Sequence, residues 1–116
     1  SAETILEANP DLDAIYGVNE SSAMGALSAV KARGLNTLIV GVDATPDLLS
    51  SIKDGTQIKA TIAQDPFQMG YIAMELMEKK LKGETIEQHV TAPIDLVTAE
   101  NVQKFIDREA AYGTGQ

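Results

Sequence analysis

The run Leu38-Ile39-Val40-Gly41-Val42-Asp43-Ala44-Thr45-Pro46 decides the fold class of this chain. Leu38 to Val42 is a continuous apolar stretch of strand length, the pattern of a strand buried on both faces. Thr45 then offers a helix cap, and Pro46 fills the first helical position, where a missing N–H costs nothing. Leu48, Leu49 and Ile52 form the apolar face of that helix, and Gly55 stops it. A buried strand followed at once by a helix start is half of a βαβ unit.

The same punctuation recurs on both sides. Upstream, Ile5, Leu6 and Ala8 close a helix that Asn9-Pro10 terminates. Ala14 to Val18 has strand length. Ser21 or Ser22 can cap the next helix, where Ala23, Met24, Ala26, Leu27 and Val30 share one face and Gly34 supplies the left-handed C-terminal residue. Downstream, Ile58 to Ala63 is a third strand, and Asp65-Pro66 opens a helix running to about Leu81. Its apolar stripe is Met69, Ile72, Ala73, Leu76 and Met77, with Lys79, Lys80 and Lys82 at the end where the helix dipole favours cations. Gly83 ends it. His89 to Leu96 reads as extended, with Pro93 marking an edge or a crossover. Thr98 is expected to cap a last helix carrying Val102, Phe105 and Ile106, and Tyr112 to Gln116 to form a disordered tail. Strands alternating with helices predict a three-layer α/β/α fold with a mainly parallel sheet.

Composition narrows the function. Nine Lys and Arg stand against 17 Asp and Glu, a net charge of −8, which opposes nucleic acid and anionic membranes. There is no Cys, so disulfides and thiolate chemistry are excluded. No apolar run approaches the roughly 18 residues that span a bilayer. The single histidine, His89, lies far from any strand end, so no Ser-His-Asp set assembles; there is no glycine-rich phosphate loop and no metal-ligand spacing. Neither an enzyme nor a cofactor is implied. The chain opens at Ser1-Ala2-Glu3-Thr4 already in helical pattern, as expected of a cut end.

In open parallel sheets, ligands bind beyond the carboxyl ends of the strands. Asn19 follows the first strand, Asp43 the second and Gln64 the third, and parallel connections place all three on one rim. Amides both donate and accept, as the hydroxyls of a polyhydroxylated ligand do. A carboxylate accepts from two neighbouring hydroxyls, in charged hydrogen bonds of about 1.5–3 kcal/mol. The same residue types also cap helices and turn chains, and the pattern alone leaves both readings open.

Four segments carry a family resemblance. Asn19-Glu20-Ser21-Ser22-Ala23-Met24-Gly25-Ala26-Leu27 resembles the N-D-x-x-A-x-G-A-x segment of ribose-type solute-binding receptors and LacI-type regulators. Val40-Gly41-Val42-Asp43-Ala44-Thr45-Pro46 resembles their V-G-F-D-G-x-P. Ala60-Thr61-Ile62-Ala63-Gln64-Asp65-Pro66 is similar to A-T-I-x-Q-x-P of the receptors, where regulators tend to have L-T-T-V. Pro93 to Val102 resembles the receptors' closing segment, with its V-T-x-E-N ending. Glu20, Val42 and Ala44 depart from the family's Asp, Phe and Gly.

The resemblance implies the C-terminal portion of a two-lobed type I periplasmic binding protein with flavodoxin-like lobes. It implies that Asn19, Asp43 and Gln64 hydrogen-bond a monosaccharide in the cleft between lobes. Residues 1–64 would end the C-terminal lobe, 65–90 would belong to the N-terminal lobe, 91–108 would cross back, and 109–116 would form the tail. The expected partners are a membrane permease of an ABC transporter or a chemoreceptor, in the periplasm or lipid-anchored outside a Gram-positive cell. An effector domain of a LacI-type regulator is the alternative. The stripe on the helix from Pro66 would lack its packing partner in such a fragment, which is then expected to self-associate or to refold its C-terminal helix onto its own sheet.

Overall fold

The computed structural model describes residues 1–113. In chain order the elements are α1 (Ala2–Ala8), β1 (Ala14–Tyr16), α2 (Glu20–Ala32), β2 (Leu38–Val42), α3 (Pro46–Lys53), β3 (Ile58–Gln64), α4 (Pro66–Leu81), β4 (Ile94–Thr98) and α5 (Val102–Gly113). The sheet order is β1-β2-β3-β4, with β1–β2 and β2–β3 both parallel. Tyr16 pairs with Val40 and Val42 with Ile62, while a register shift after Ile39 leaves Lys59 as an extra residue in β3. The α/β class with a mainly parallel sheet is therefore as the sequence predicts.

The chain divides into two compact units. Among the described residues, one comprises Ser1–Ala63 and 96–113; the other is Gln64–Asp95. In the first, Leu6 of α1, Leu27 and Val30 of α2, Leu48, Leu49 and Ile52 of α3, and Val102 and Phe105 of α5 gather with strand residues Ile39, Ile58, Ala63 and Val97 in one buried cluster. Period-2 alternation sends the intervening strand side chains to the opposite face. There Tyr16, Leu38 and Leu96 stay 63%, 46% and 57% exposed. Leu38 to Val42 is thus buried on one face only, not on both as its apolar run predicts. The helices of this unit supply one layer to the sheet, and its described residues supply no second.

In the other unit, Asp65 caps α4, its Oδ1 accepting the Gln68 N–H at 3.0 Å, with Pro66 in the first turn. Lys79 and Lys80 occupy the last turn, and Gly83 follows with φ +79°, the left-handed conformation that glycine adopts freely. No residue of α4 is buried.

Several local expectations shift. The first strand stops at Tyr16 rather than Val18. Asn19, not Ser21 or Ser22, caps α2. Thr98 ends β4 rather than capping α5; its hydroxyl accepts the Glu100 N–H at 3.4 Å, and its N–H donates to Asn101 Oδ1 at 2.9 Å. Asn101 Nδ2 donates in turn to Leu96 O, so this asparagine closes the turn before α5. That helix continues through Tyr112 to Gly113, which the sequence reading places in a tail; Thr114 to Gln116 of that tail lie outside the described residues.

Candidate functional site

The C-terminal ends of β1 and β2 meet the first turn of α2. Small residues permit this approach. A Cβ on Gly17 would stand 2.6 Å from the Ala23 backbone nitrogen, and one on Gly41 3.3 Å from Ala23 Cβ. Only glycine at Gly17 lets the α2 backbone lie so close to the chain leaving β1.

Asn19 holds that first turn. Its Oδ1 accepts the Ser22 N–H at 2.9 Å and the Ser22 hydroxyl at 2.7 Å, while its own N–H donates to Ser22 Oγ at 3.1 Å, a reciprocal capping box. The donor on Ser22 fixes which side-chain atom of Asn19 is the oxygen. Its Nδ2 makes no hydrogen bond among the described residues and remains available as a donor. The capping reading of Asn19 is therefore correct, and it leaves half of the amide uncommitted.

Asp43 follows β2 with φ +90°, the only positive φ at a non-glycine among the described residues. Such a backbone costs a Cβ-bearing residue about 1–3 kcal/mol and persists only where its surroundings over-determine it. Here the Asp43 N–H donates to Ile62 O at 2.9 Å, the Asp43 carbonyl accepts from Thr61 Oγ1 at 2.8 Å, and Oδ2 accepts the Glu20 N–H at 3.0 Å. The carboxylate thus lies at the N-terminus of α2, where the helix dipole favours an anion. Oδ1 has no partner among the described residues, and the side chain is half-buried.

Glu20, which departs from the family's aspartate, does not point its carboxylate at Asp43. Its Oε1 accepts from Thr45 Oγ1 at 2.6 Å, so Thr45 ties α2 to α3. Thr45 does stand at the N-cap of α3 as expected, yet its hydroxyl serves this cross-link and makes no bond to its own helix.

Gln64 is the last residue of β3, exposed, and falls in the second unit. His89 is exposed, outside every helix and strand. Among the described residues no group of three or more His, Asp or Glu could hold a metal ion, and no helix is long and apolar enough to cross a membrane.

Asn19 and Asp43 are brought together around the first turn of α2. Together they present one amide donor and one carboxylate acceptor, both anchored through their other halves. A hydroxyl, which donates and accepts, complements that pair. Sequence reading missed Thr61, Thr45 and Glu20 as the struts behind it. For Thr61 the sequence carries no signal, because the strand that holds it ends at Gln64 and the carboxylate it serves follows a different strand.

A family described as periplasmic binding protein domain matches residues 1–85. The ribose import binding protein of Bacillus subtilis is 36% identical over 96 residues, covering 83% of this chain and 31% of that protein. The ribose import binding protein of Haemophilus influenzae is 42% identical over 94 residues, covering 81% and 31%. Among solved structures, an ABC transporter periplasmic solute binding protein from Actinobacillus succinogenes 130z, with bound D-allose, aligns with a TM-score of 0.79 at 30% identity, covering 89% of this chain and 36% of that one. The chain spans about a third of the length of the curated relatives it matches.

Proposed function

Because this chain belongs to the periplasmic binding protein domain family, we propose that the protein it represents is the sugar-binding component of an ABC transporter, without catalytic activity and without a cofactor. The ligand is a monosaccharide held between two lobes. Asn19 donates through Nδ2, Asp43 accepts through its free Oδ1, and Gln64 contributes its amide from the end of β3. The relatives described above bind ribose or D-allose, polyhydroxylated molecules of the chemistry that this donor and acceptor suit.

The observation that carries the reading is Asp43. A non-glycine residue held at φ +90° by three hydrogen bonds, with one carboxylate oxygen left over, is pre-organised for an external donor. Ordinary chain turning needs no such arrangement.

In this reading residues 65–90 belong to the N-terminal lobe, and 91–108 cross back. Closure of the lobes on sugar forms the state that a membrane permease or a chemoreceptor recognises. The protein works outside the cytoplasmic membrane, in the periplasm or on a lipid anchor.

The test is a thermal-shift panel on the full-length chain with D-ribose, D-allose, D-galactose, D-fucose and myo-inositol, beside Asp43→Ala. One compound is expected to raise Tm, and the shift to vanish in the variant. A panel with no shift, or a shift that survives in Asp43→Ala, overturns the reading.

A further inference from the structure

Resting on that reading, we propose that Thr61 is a positioning residue of the sugar site, a buried hydroxyl that fixes the Asp43 backbone and thereby aims the free carboxylate oxygen.

Thr61 is wholly buried, on the face of β3 that packs into the helix layer. Its surroundings are apolar. The place where a Cβ on Gly41 would stand is 3.4 Å from Thr61 Oγ1, 3.3 Å from Ala23 Cβ and 3.4 Å from Leu48 Cδ2. Valine has nearly the same shape and would suit that environment without a hydroxyl to satisfy. A buried hydroxyl is costly unless it is hydrogen-bonded, and this one is spent on the carbonyl of Asp43 at 2.8 Å.

Asp43 is where such a tie has an effect. At φ +90° the residue is under steric pressure to return to negative φ, which would swing its Cβ and carboxylate away from the first turn of α2. Three elements resist. Ile62 holds the N–H, Glu20 holds Oδ2, and Thr61 holds the carbonyl, the one backbone anchor beyond the strained φ. Without the hydroxyl, the peptide after Asp43 gains freedom, and Oδ1 loses its fixed direction. Thr61 needs no contact with the sugar for this.

A plain core threonine would act differently. Its replacement would lower stability in proportion to lost packing and leave sugar affinity alone. The experiment therefore separates hydroxyl from packing. In the full-length chain, Thr61→Val keeps the shape and loses the hydroxyl, while Thr61→Ser keeps the hydroxyl and loses a methyl group. Affinity is measured by calorimetry with whichever compound of the panel shifts the wild type, and Tm is measured without ligand. Thr61→Val is expected to weaken binding about tenfold, the effect of one hydrogen bond, and Thr61→Ser to stay within about twofold of wild type even where its Tm falls further. Should Thr61→Val fail to fold, Thr61→Cys, with its weaker donor, takes its place in the same ordering.

Wild-type affinity in Thr61→Val, or equal weakening in Thr61→Val and Thr61→Ser, overturns the proposal while the sugar-binding reading stands. A wild type that binds none of the panel overturns both.

Discussion

Asp43 carries two burdens, a backbone conformation that its side chain resists and a carboxylate of which one oxygen accepts the Glu20 N–H and the other is proposed to accept from a sugar. Asparagine separates them. It tolerates positive φ about as well as aspartate, and its Oδ1 can still accept the Glu20 N–H. Asp43→Asn is therefore expected to change unfolding free energy by less than about 1 kcal/mol while weakening sugar binding at least roughly tenfold, because a charged acceptor is lost. Urea denaturation read beside calorimetry checks this; a loss of several kcal/mol with intact binding would make the carboxylate structural. Asp43 and Asn19 were legible in the sequence because a polar residue just beyond an apolar run is conspicuous. Thr61 was not, since threonine in a strand reads as a β-branched strand former whether or not its hydroxyl has a task. The capping residue of α2 was misplaced for a related reason: Asn and Ser are nearly equal as caps, and only the backbone, extended at Asn19, decides between them.

The first turn of α2 is the element on which the site depends, and its seat is made by glycine. Gly17→Ala would push a Cβ to within 2.6 Å of the Ala23 nitrogen, a backbone atom that cannot rotate aside. The expected cost is about 1–3 kcal/mol, with weaker sugar binding as the turn carrying Asn19 and Glu20 shifts. Gly25→Ala is the matched control on the same helix. A Cβ there meets nothing within 4 Å, so helix propensity alone acts, and stability should rise by up to about 1 kcal/mol. Thermal unfolding of both variants decides it, and similar losses in the two would refute the seating argument. At this scale the sequence was readable where periodicity and caps agreed, as in α3 and α4. It misled at the end of β1: Gly17 and Val18 look like strand, and the Gly17 N–H still donates to Val40 O at 2.8 Å, yet β1 ends at Tyr16. The one-sided burial of β2 was illegible as well, because an apolar run records the environment a strand suits and not what the chain in hand provides.

Across the whole chain, charge and apolar exposure oppose each other. Tyr16, Leu38 and Leu96 lie bare on one unit, and Phe67, Tyr71, Met74, Met77 and Leu81 are exposed along α4 in the other. Each large apolar side chain left in water forgoes about 1.5–3 kcal/mol. The net charge of −8 keeps copies apart. The 116-residue chain alone is therefore expected to self-associate, more strongly at high salt, where that repulsion is screened. Light scattering at low and high ionic strength measures it; a mass of 12.3 kDa at both would reject the expectation. The bare helix α4 has a further use. Its sixteen residues include none that is buried, so packing adds little, and isolated helices only slightly shorter are marginal in water. Any surface that covers its apolar side should draw it toward full helicity. The circular dichroism of this chain near 222 nm is thus a built-in optical gauge of docking, readable without a label.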